Sequence, residues 1–436
     1  MKKLFLMGFV ALGFASCVSD KEVSTQTQDQ KYQAAFENLV GGKINANVNW
    51  GFNDQQAAVF DKDGKFTGMR GANVEGNNWA NFIEVPTALT PDQKAVVRNW
   101  FQTHPNYEGN ASVNWSEFFV EQVYKGGTNP TEACPEAYEA ANGTTGIVGS
   151  SHMDKLTVGF ADEHINNFNY GDNKDWGGFT LMQNSTTSEC FGYITSESSE
   201  QKDNKFILVA GDEIDESVAG MYFVGFDFES TGAEPNQQIA ADGYYSDWIV
   251  RIVPGFYKNR QRVMVEDLIG SSLDNVDYSD WDFNDAVFDV AFTEAYVNNQ
   301  NVKQAVITLW AAGGTKALTI GGKEVHELFG KSTATMINTN ANGGVDGLQP
   351  VIFRIDLGAI DYNKAYNAND ILVKVGSTEL KAEAGKAPQK IEVSKDTKWM
   401  KERKIITGSY TQFKAYATTG QPADWYNTVS NTGDLY

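Results

Sequence analysis

Short apolar runs separated by turn-forming residues dominate the chain from residue 155 onward, and they constrain the fold more than any other feature. Gly, Asn and Asp recur between the runs, and these residues favour tight turns. The chain contains 41 Gly, 26 Phe, 18 Tyr and 10 Trp, a composition that suits β-sheets better than helical bundles. The pattern predicts a mainly β fold with one or two β-sandwich lobes. The runs are Lys155–Phe160, Gly178–Met182, Phe206–Ala210, Met221–Glu229, Trp248–Val253, Val263–Leu268, Phe283–Thr293, Gln304–Ala311, Gln349–Ile355 and Ile371–Val375.

The part of the chain that precedes these runs has helical patterns instead. Apolar residues at helical spacing predict a helix over Tyr32–Val40, which a pair of glycines follows. Thr90 is a predicted N-cap with Pro91 at the first helical position, and Pro105 ends this second helix. Asn114–Lys125 fits either a strand or a helix.

These patterns predict the domain organisation. Residues 31–130 are expected to form a small α+β region, and the loop-like stretch after residue 130 is a plausible boundary. A β-sandwich lobe is expected at 148–262 and a C-terminal β domain at 263–430. The cut at 262 is the least marked of these boundaries in the sequence.

The first residues predict export and a lipid anchor. Lys2 and Lys3 precede the apolar run Leu4–Phe14, whose 11 residues suit a signal-peptide core. A membrane span needs about 20 residues. Small residues stand directly before Cys17, which predicts a signal peptide at 1–16 and lipidation of Cys17. The alternative is an ordinary signal peptide that is cleaved near Cys17.

The residues after Cys17 predict where the anchor places the protein. Residues 17–30 are polar, lack aromatics and show no periodicity, so we expect a solvated tether. Because one lipid chain binds weakly, a stable anchor in the outer membrane requires multiple acylation. Asp20 and Glu22 favour exposure at the cell surface, although Lys21 separates them.

Charge and cysteine content limit the partners. The formal net charge of −21 argues against nucleic acid and is compatible with divalent cations. Cys134 and Cys190 are the remaining cysteines. In an oxidising compartment they either pair or remain free thiols. Their spacing does not suggest a structural zinc site.

The most informative stretch is the acidic segment Asp274–Asp289. Aspartate and asparagine alternate in it, so an extended chain would place several side-chain oxygens on one side. Calcium takes six to eight oxygen ligands, and the segment therefore predicts a structural Ca²⁺ site. The alternative is a solvated acidic turn. The predicted ligands are Asp280, Asp282, Asn284, Asp285, Asp274, Asp277 and Glu266.

Five blocks of sequence, in the same order, resemble the C-terminal LruC-type domain of Bacteroidota surface lipoproteins. They lie within residues 245–426, and Phe36–Phe52 and His164–Gly171 resemble the leading parts of such proteins. The resemblance implies an envelope location and supports the acidic motif, and it implies no particular activity. The blocks are Asp280–Val290, Glu324–Gly330, Met336–Thr339, Gly385–Lys390 and Trp399–Arg403.

Motifs for catalysis are missing from the sequence. His326-Glu327 lacks the second histidine of a zinc protease, and neither a G-x-S-x-G elbow nor a phosphate-binding glycine loop occurs. We therefore expect a protein that is not an enzyme. A glycan hydrolase is the least favoured alternative, because nothing singles out a pair of carboxylates.

Aromatic residues beside Asp, Asn or Gly suggest a binding role. Flat rings next to hydrogen-bonding groups suit stacking on sugars, although rings in β proteins mostly fill the core. The sequence thus predicts binding or adhesion to an extracellular ligand such as a glycan, with a structural component that contacts envelope proteins as the alternative. The candidate contact residues are Tyr244, Tyr245, Trp248, Trp176 and Trp425.

Overall fold

The structure is a computed structural model. It describes residues 27–52, 84, 86–109, 111, 113, 115, 118–125, 147–152, 155–160, 178–183, 190–194, 203–227, 230–231, 238–239, 242–246, 248–267, 280–297, 300–361 and 364–436. Cys17, Cys134, Trp176, Asp274 and Asp277 lie outside these residues. Their predicted roles therefore stay predictions.

Two helices precede the sheets, and both begin with a capping box. In α1 (Gln28–Val40) the Thr27 side chain accepts a hydrogen bond from the backbone N–H of Gln30. The Gln30 side-chain oxygen in turn accepts one from the backbone N–H of Thr27. In α2 (Pro91–Thr103) the same reciprocal pair joins Thr90 and Gln93. Such pairs satisfy N–H groups that lack a partner in the first helical turn. Both predicted helices are thereby confirmed.

Three short helices follow later in the chain: α3 (Val325–Leu328), α4 (Ile406–Ser409) and α5 (Phe413–Thr419). Among the described residues, no helix combines the length and the apolar content needed to cross a membrane.

The first ten strands lie between residues 118 and 254. Eight of them form one antiparallel sheet in the order β1-β10-β7-β6-β5-β4-β3-β2, and β8 and β9 pair with each other. Phe118–Lys125 is a strand, which decides between the two predictions for that segment. The strands are β1 (Phe118–Lys125), β2 (Ile147–His152), β3 (Lys155–Phe160), β4 (Gly178–Gln183), β5 (Cys190–Ile194), β6 (Asp203–Ala210), β7 (Tyr222–Asp227), β8 (Ser230–Thr231), β9 (Gln238–Ile239) and β10 (Trp248–Pro254).

The remaining nine strands form two antiparallel sheets. The larger has the order β16-β13-β12-β11-β19, and the smaller has the order β15-β14-β17-β18. Buried residues of both sheets belong to one hydrophobic cluster. The strands are β11 (Gln261–Val265), β12 (Ala286–Val297), β13 (Gln300–Ala311), β14 (Leu318–Ile320), β15 (Lys323–Glu324), β16 (Val351–Ala359), β17 (Val373–Val375), β18 (Thr378–Glu379) and β19 (Lys390–Ser394). The mainly β fold that the sequence predicts is confirmed.

The structure divides the predicted 31–130 region between two hydrophobic cores. Phe36 of α1 and Trp50 pack in the first core, together with the five- and four-stranded sheets and the C-terminal residues. Phe101 of α2 packs in the second core, against β6, β7 and β10. A Cβ on Gly225 of β7 would lie 2.4 Å from the Phe101 ring, so α2 approaches this sheet at a glycine. Sequence periodicity identifies a helix and cannot identify the sheet that it covers.

The predicted boundaries at 148–262 and 263–430 also differ from the structure in detail. Strands β2 to β7 and β10 join β1 in one continuous sheet of eight strands rather than in two separate sheets. Strand β11 begins at Gln261 and pairs with β12 and β19. Alternating apolar residues show that a strand exists but not which strand pairs with it, and this explains both differences.

Candidate cation site

The described part of the acidic segment that precedes β12, residues 280–285, is a strained loop. Trp281 has φ of 48° and Phe283 has φ of 54°, a left-handed conformation that bulky residues rarely adopt. Both rings are buried in the first core, at 4% and 0% exposure. The Trp281 ring lies 5.0 Å from Tyr32 and 5.3 Å from Phe36. Packing of these two rings fixes the conformation of the loop. The alternating residues Asp280 and Asp282 lie close to Glu266 instead of in this core.

Five carboxylates gather between this loop and the end of β11. Their oxygens form two overlapping sets that share Glu266, and within each set the atoms lie within 4.8 Å of one another. Two oxygens that bind one calcium ion, each at 2.3–2.6 Å, lie at most about 5 Å apart. The separations therefore suit a cation. We call these residues the acidic cluster: Glu266, Asp267, Asp280, Asp282 and Asp285.

Backbone N–H groups fix the position of three of these carboxylates. Asp285 accepts a hydrogen bond from the N–H of Asp267 at 2.6 Å. Glu266 accepts from the N–H of Phe283 at 3.3 Å, and Asp282 accepts from the N–H of Arg403 at 2.8 Å. The site thus connects β11, the loop before β12 and the C-terminal part of the chain. A cation there would join segments that are far apart in sequence.

Asn284 orients Asp282 in this structure. Its Nδ2 donates to Asp282 Oδ2 at 2.8 Å and to the Met400 carbonyl at 3.2 Å. Asn284 is fully buried, and its Oδ1 has no hydrogen-bond partner in the described part of the chain. The predicted ligand therefore presents its amide nitrogen to Asp282, which makes it a positioning residue in this geometry.

Two glycines after β13 pass close to the cluster. A Cβ on Gly313 would lie 2.1 Å from Asn284 Oδ1. A Cβ on Gly314 would lie 3.0 Å from Asp267 Oδ2 and 3.1 Å from Asp285 Oδ1. The backbone thus comes so near the oxygens that a side chain at Gly313 would collide with them.

The carboxylates destabilise one another's charged form. Burial, followed by the charges of neighbouring carboxylates, raises the pKa of Glu266, Asp282 and Asp285 well above the usual range. Burial also raises the pKa of Asp280. Burial and the charge of Asp280 raise the pKa of Glu402 to about 7. Glu402 lies far from the acidic segment in sequence, and no spacing rule could have found it.

Little positive charge balances the cluster. Lys316 Nζ lies 3.0 Å from Asp267 Oδ1, and its side chain is 39% exposed. The Arg403 side chain is 80% exposed and reaches Glu402 only at 3.8 Å. The five carboxylates and Lys316 together carry four net negative charges when ionised, which is the charge of two divalent cations.

Two of the aromatic residues predicted to contact a ligand, Tyr245 and Trp425, pack with different cores. Tyr244 and Tyr245 are partly buried, and Tyr245 packs against the second core. Trp248 is the first residue of β10. The prediction for Trp425 is wrong, because its ring is 2% exposed and packs 4.8 Å from Phe413. A ring beside polar residues in sequence can point to either side of the chain, and this one points inward.

The pair His326-Glu327 takes part in local structure. His326 is fully buried between the Glu324 carboxylate at 2.7 Å and the Gly314 carbonyl at 2.9 Å. Both ring nitrogens therefore have partners. Cys190 lies in β5, and its pairing with Cys134 stays a prediction.

Comparison with known proteins gives little further information. No protein-family model matches the chain. No curated protein matches it either. Among solved structures, a protein from Bacteroides ovatus that is assigned as a lipoprotein matches with 11% identity over 74% of this chain and 99% of its own. The TM-score is 0.30, and a similarity that weak carries no argument about fold or function. The resemblance to LruC-type domains thus stays a prediction.

Proposed function

We propose that the chain is a cell-envelope lipoprotein whose C-terminal β domain is stabilised by Ca²⁺ and which binds an extracellular ligand without catalysing a reaction. The observation that carries the cation part is the acidic cluster. Its five carboxylates lie close together, three of them are buried at 1–6% exposure, and one partly exposed lysine pairs with them. Buried charges are costly unless they are paired or coordinate a metal.

Calcium suits this cluster better than other common cations. All the candidate ligands are oxygens, which exclude the sulfur and imidazole donors that zinc sites use. Magnesium requires near-ideal octahedral geometry at 2.0–2.1 Å, whereas calcium accepts irregular shells of six to eight oxygens. Carboxylates that differ in their backbone hydrogen bonds and come from two segments favour an irregular shell.

A structural role follows from what the cluster connects. Its carboxylates come from the end of β11 and from the loop before β12, and Asp282 is held by the N–H of Arg403. Without a cation, repulsion between the carboxylates opposes this arrangement. With a cation, the same charges stabilise it.

Metal analysis of the purified full-length protein tests the cation proposal. After dialysis against calcium and then metal-free buffer, we expect at least one tightly bound calcium per chain. Glu266→Gln removes the carboxylate common to both sets and should abolish binding, whereas the exposed Glu327→Gln serves as a matched control. A calcium-free wild-type protein would contradict the proposal.

The lipid anchor and the envelope location rest on the sequence around Cys17. Metabolic labelling with an alkyne fatty acid should mark the wild-type protein and not Cys17→Ser. External protease treatment of intact cells should then digest the labelled protein if it faces outward. Labelling that persists in Cys17→Ser would contradict lipidation at this residue.

The ligand is the least constrained part of the proposal. A glycan is supported by aromatic residues that stand beside Asp, Asn or Gly in the sequence, and a structural component that contacts envelope proteins is the alternative. Retention on a broad polysaccharide panel in calcium buffer would support glycan binding. A blank panel at millimolar ligand, with one stoichiometric protein recovered by cross-linking in cells, would support the alternative. Turnover on such a panel that depends on a specific carboxylate pair would indicate a hydrolase.

A further inference from the structure

A cavity of about 330 Å³ is lined in part by residues of the first core. It is bounded by the segment before Phe52, by the edge strand β19, and by α5 with the residues that follow it. Ligand sites in proteins are typically 300–1,000 Å³, so this cavity suits a small molecule or one side chain. The lining residues that matter most are Asn47, Asn49, Glu392, Tyr416, Asp424 and Tyr426.

The walls of the cavity are firmly held. The N–H of Glu392 donates to the Trp50 carbonyl at 2.8 Å. Gly51 has φ of 90°, and a Cβ there would lie 2.1 Å from the Glu392 carbonyl oxygen, so the two segments meet at a glycine. The Tyr416 ring lies 6.1 Å from the rings of both Trp50 and Trp425. The cavity is therefore largely formed before any ligand arrives.

The cavity is strongly one-sided in charge. Glu392 and Asp424 line it, and none of its lining residues is Lys, Arg or His. Glu392 is only 5% exposed. Burial and the charges of Asp424 and Glu392 raise the pKa of Tyr426, because both carboxylates lie near its phenol. An anionic ligand is disfavoured in such a field, and a cationic ligand is favoured.

The two tyrosines add to this preference. The face of an aromatic ring attracts a cation placed within about 6 Å of the ring centre. Carboxylates accept short, charge-assisted hydrogen bonds from ammonium groups. Aromatic rings and carboxylates around one small cavity are the groups that an ammonium ion needs.

We propose that this cavity binds the primary ammonium group of a small organic cation. The same chemistry occurs in the side chain of lysine and in free diamines, and both fit a cavity of this volume. The inference goes beyond the proposed function, because it concerns residues other than the acidic cluster and specifies the charge of the ligand.

Titration of the full-length protein in calcium-containing buffer tests the proposal, with binding followed by NMR or calorimetry. The probes are Nα-acetyl-lysine methylamide for a peptide side chain and 1,4-diaminobutane for a free amine. The neutral comparison compounds are the Nε-acetylated form of the first probe and a methyl glucoside. We expect millimolar or tighter binding of at least one amine and at least tenfold weaker binding of both neutral compounds.

Variants connect the binding to the cavity. Asp424 is exposed, so Asp424→Asn should fold normally and weaken amine binding about threefold to tenfold. Glu392→Gln should weaken it more, and the exposed Glu327→Gln should leave it unchanged. Equal binding of the acetylated probe, binding of the glucoside alone, or amine binding that survives both cavity variants would each overturn the proposal.

Discussion

Two groups of buried charge lie on or next to β11 and β12, and they differ in how their charges are balanced. Asp289 of β12 is fully buried and accepts from Arg260 Nε at 2.8 Å, Arg262 Nε at 2.8 Å and Trp310 Nε1 at 2.8 Å. We call these four residues the arginine cluster. The last residue of the acidic cluster, Asp285, lies four residues before Asp289, and one lysine pairs with the five carboxylates of that cluster. Arginines of the chain pair with the carboxylate of the first group, whereas the acidic cluster has more negative than positive groups.

We expect the stability contributed by the two clusters to depend differently on the solution around the protein. The arginine cluster is further enclosed by rings, because the Arg262 guanidinium lies 5.5 Å from Trp310 and 5.2 Å from Trp399. Its contribution to folding should be independent of added metal. The acidic cluster has the opposite character, since its carboxylates repel one another until a cation binds.

The largest effect should come from breaking the arginine cluster. Asp289→Asn removes the carboxylate that the buried Arg260 and Arg262 share, although Arg260 keeps its contact with Glu84. Loss of one partner from a buried pair costs about 3–5 kcal/mol of stability. Urea denaturation should show this loss equally in calcium and in EDTA. The exposed Asp396→Asn is the matched control and should change little. A loss below about 1 kcal/mol, or one that calcium reverses, would remove the contrast between the two clusters.

The acidic cluster should respond to pH in the absence of metal. Its raised carboxylate pKa values mean that the folded state holds protons which the unfolded state has released. The stabilisation that these bound protons provide is fully present below the ordinary carboxylate pKa. It is lost as the pH rises through the pKa of the folded state, which is about 7 for the neighbouring Glu402. In EDTA we expect a loss of about 2–4 kcal/mol between pH 5 and pH 8.

Calcium should flatten this pH dependence, because a bound cation favours the ionised carboxylates. The measurement is urea denaturation at several pH values, with and without calcium. Stability in EDTA that rises with pH over the same range would show that the carboxylates are not held together as described.

A smaller effect should come from Lys316, the cation that the chain itself supplies. Because Lys316 is 39% exposed, replacing it by Gln should cost only about 0.5–1 kcal/mol in EDTA. The same change removes a positive charge beside the bound cation, so calcium affinity should rise about threefold. Isothermal titration of both proteins measures the affinity. Weaker calcium binding by Lys316→Gln would mean that the lysine supports the site instead of competing with the cation.

Much of the fold could be predicted from the sequence, because its signals are local. Capping residues at Thr90 and Pro91 mark a helix start, and alternating apolar residues mark the strands. The sheet or core against which each helix and strand packs could not be predicted. Helix α1 packs with the C-terminal residues of the first core, which follow it by more than 350 positions in the chain. Such contacts depend on pairing between distant segments, and one sequence does not record them.

The candidate site shows the same limit. Alternating oxygens at Asp280 and Asp282 were sufficient to predict a cation site, and the structure brings them together with Glu266. The acidic segment also includes Asp289, which looks similar in sequence. The strand register places Asp289 opposite Arg262, and this gives Asp289 a different role from Asp280 and Asp282.

The free energy of unfolding of the full-length protein, with calcium and with EDTA, tests whether a cation at the acidic cluster stabilises the fold. Wild type and Asp282→Asn are compared, with Asp396→Asn as the control. At 100 times the dissociation constant, a cation stabilises the folded state by about 2.7 kcal/mol. We predict this gain for wild type and the control, and its near absence in Asp282→Asn, which in EDTA should be at least as stable as wild type. A wild-type protein that is equally stable in calcium and in EDTA, or an Asp282→Asn variant with the full gain, would contradict the claim.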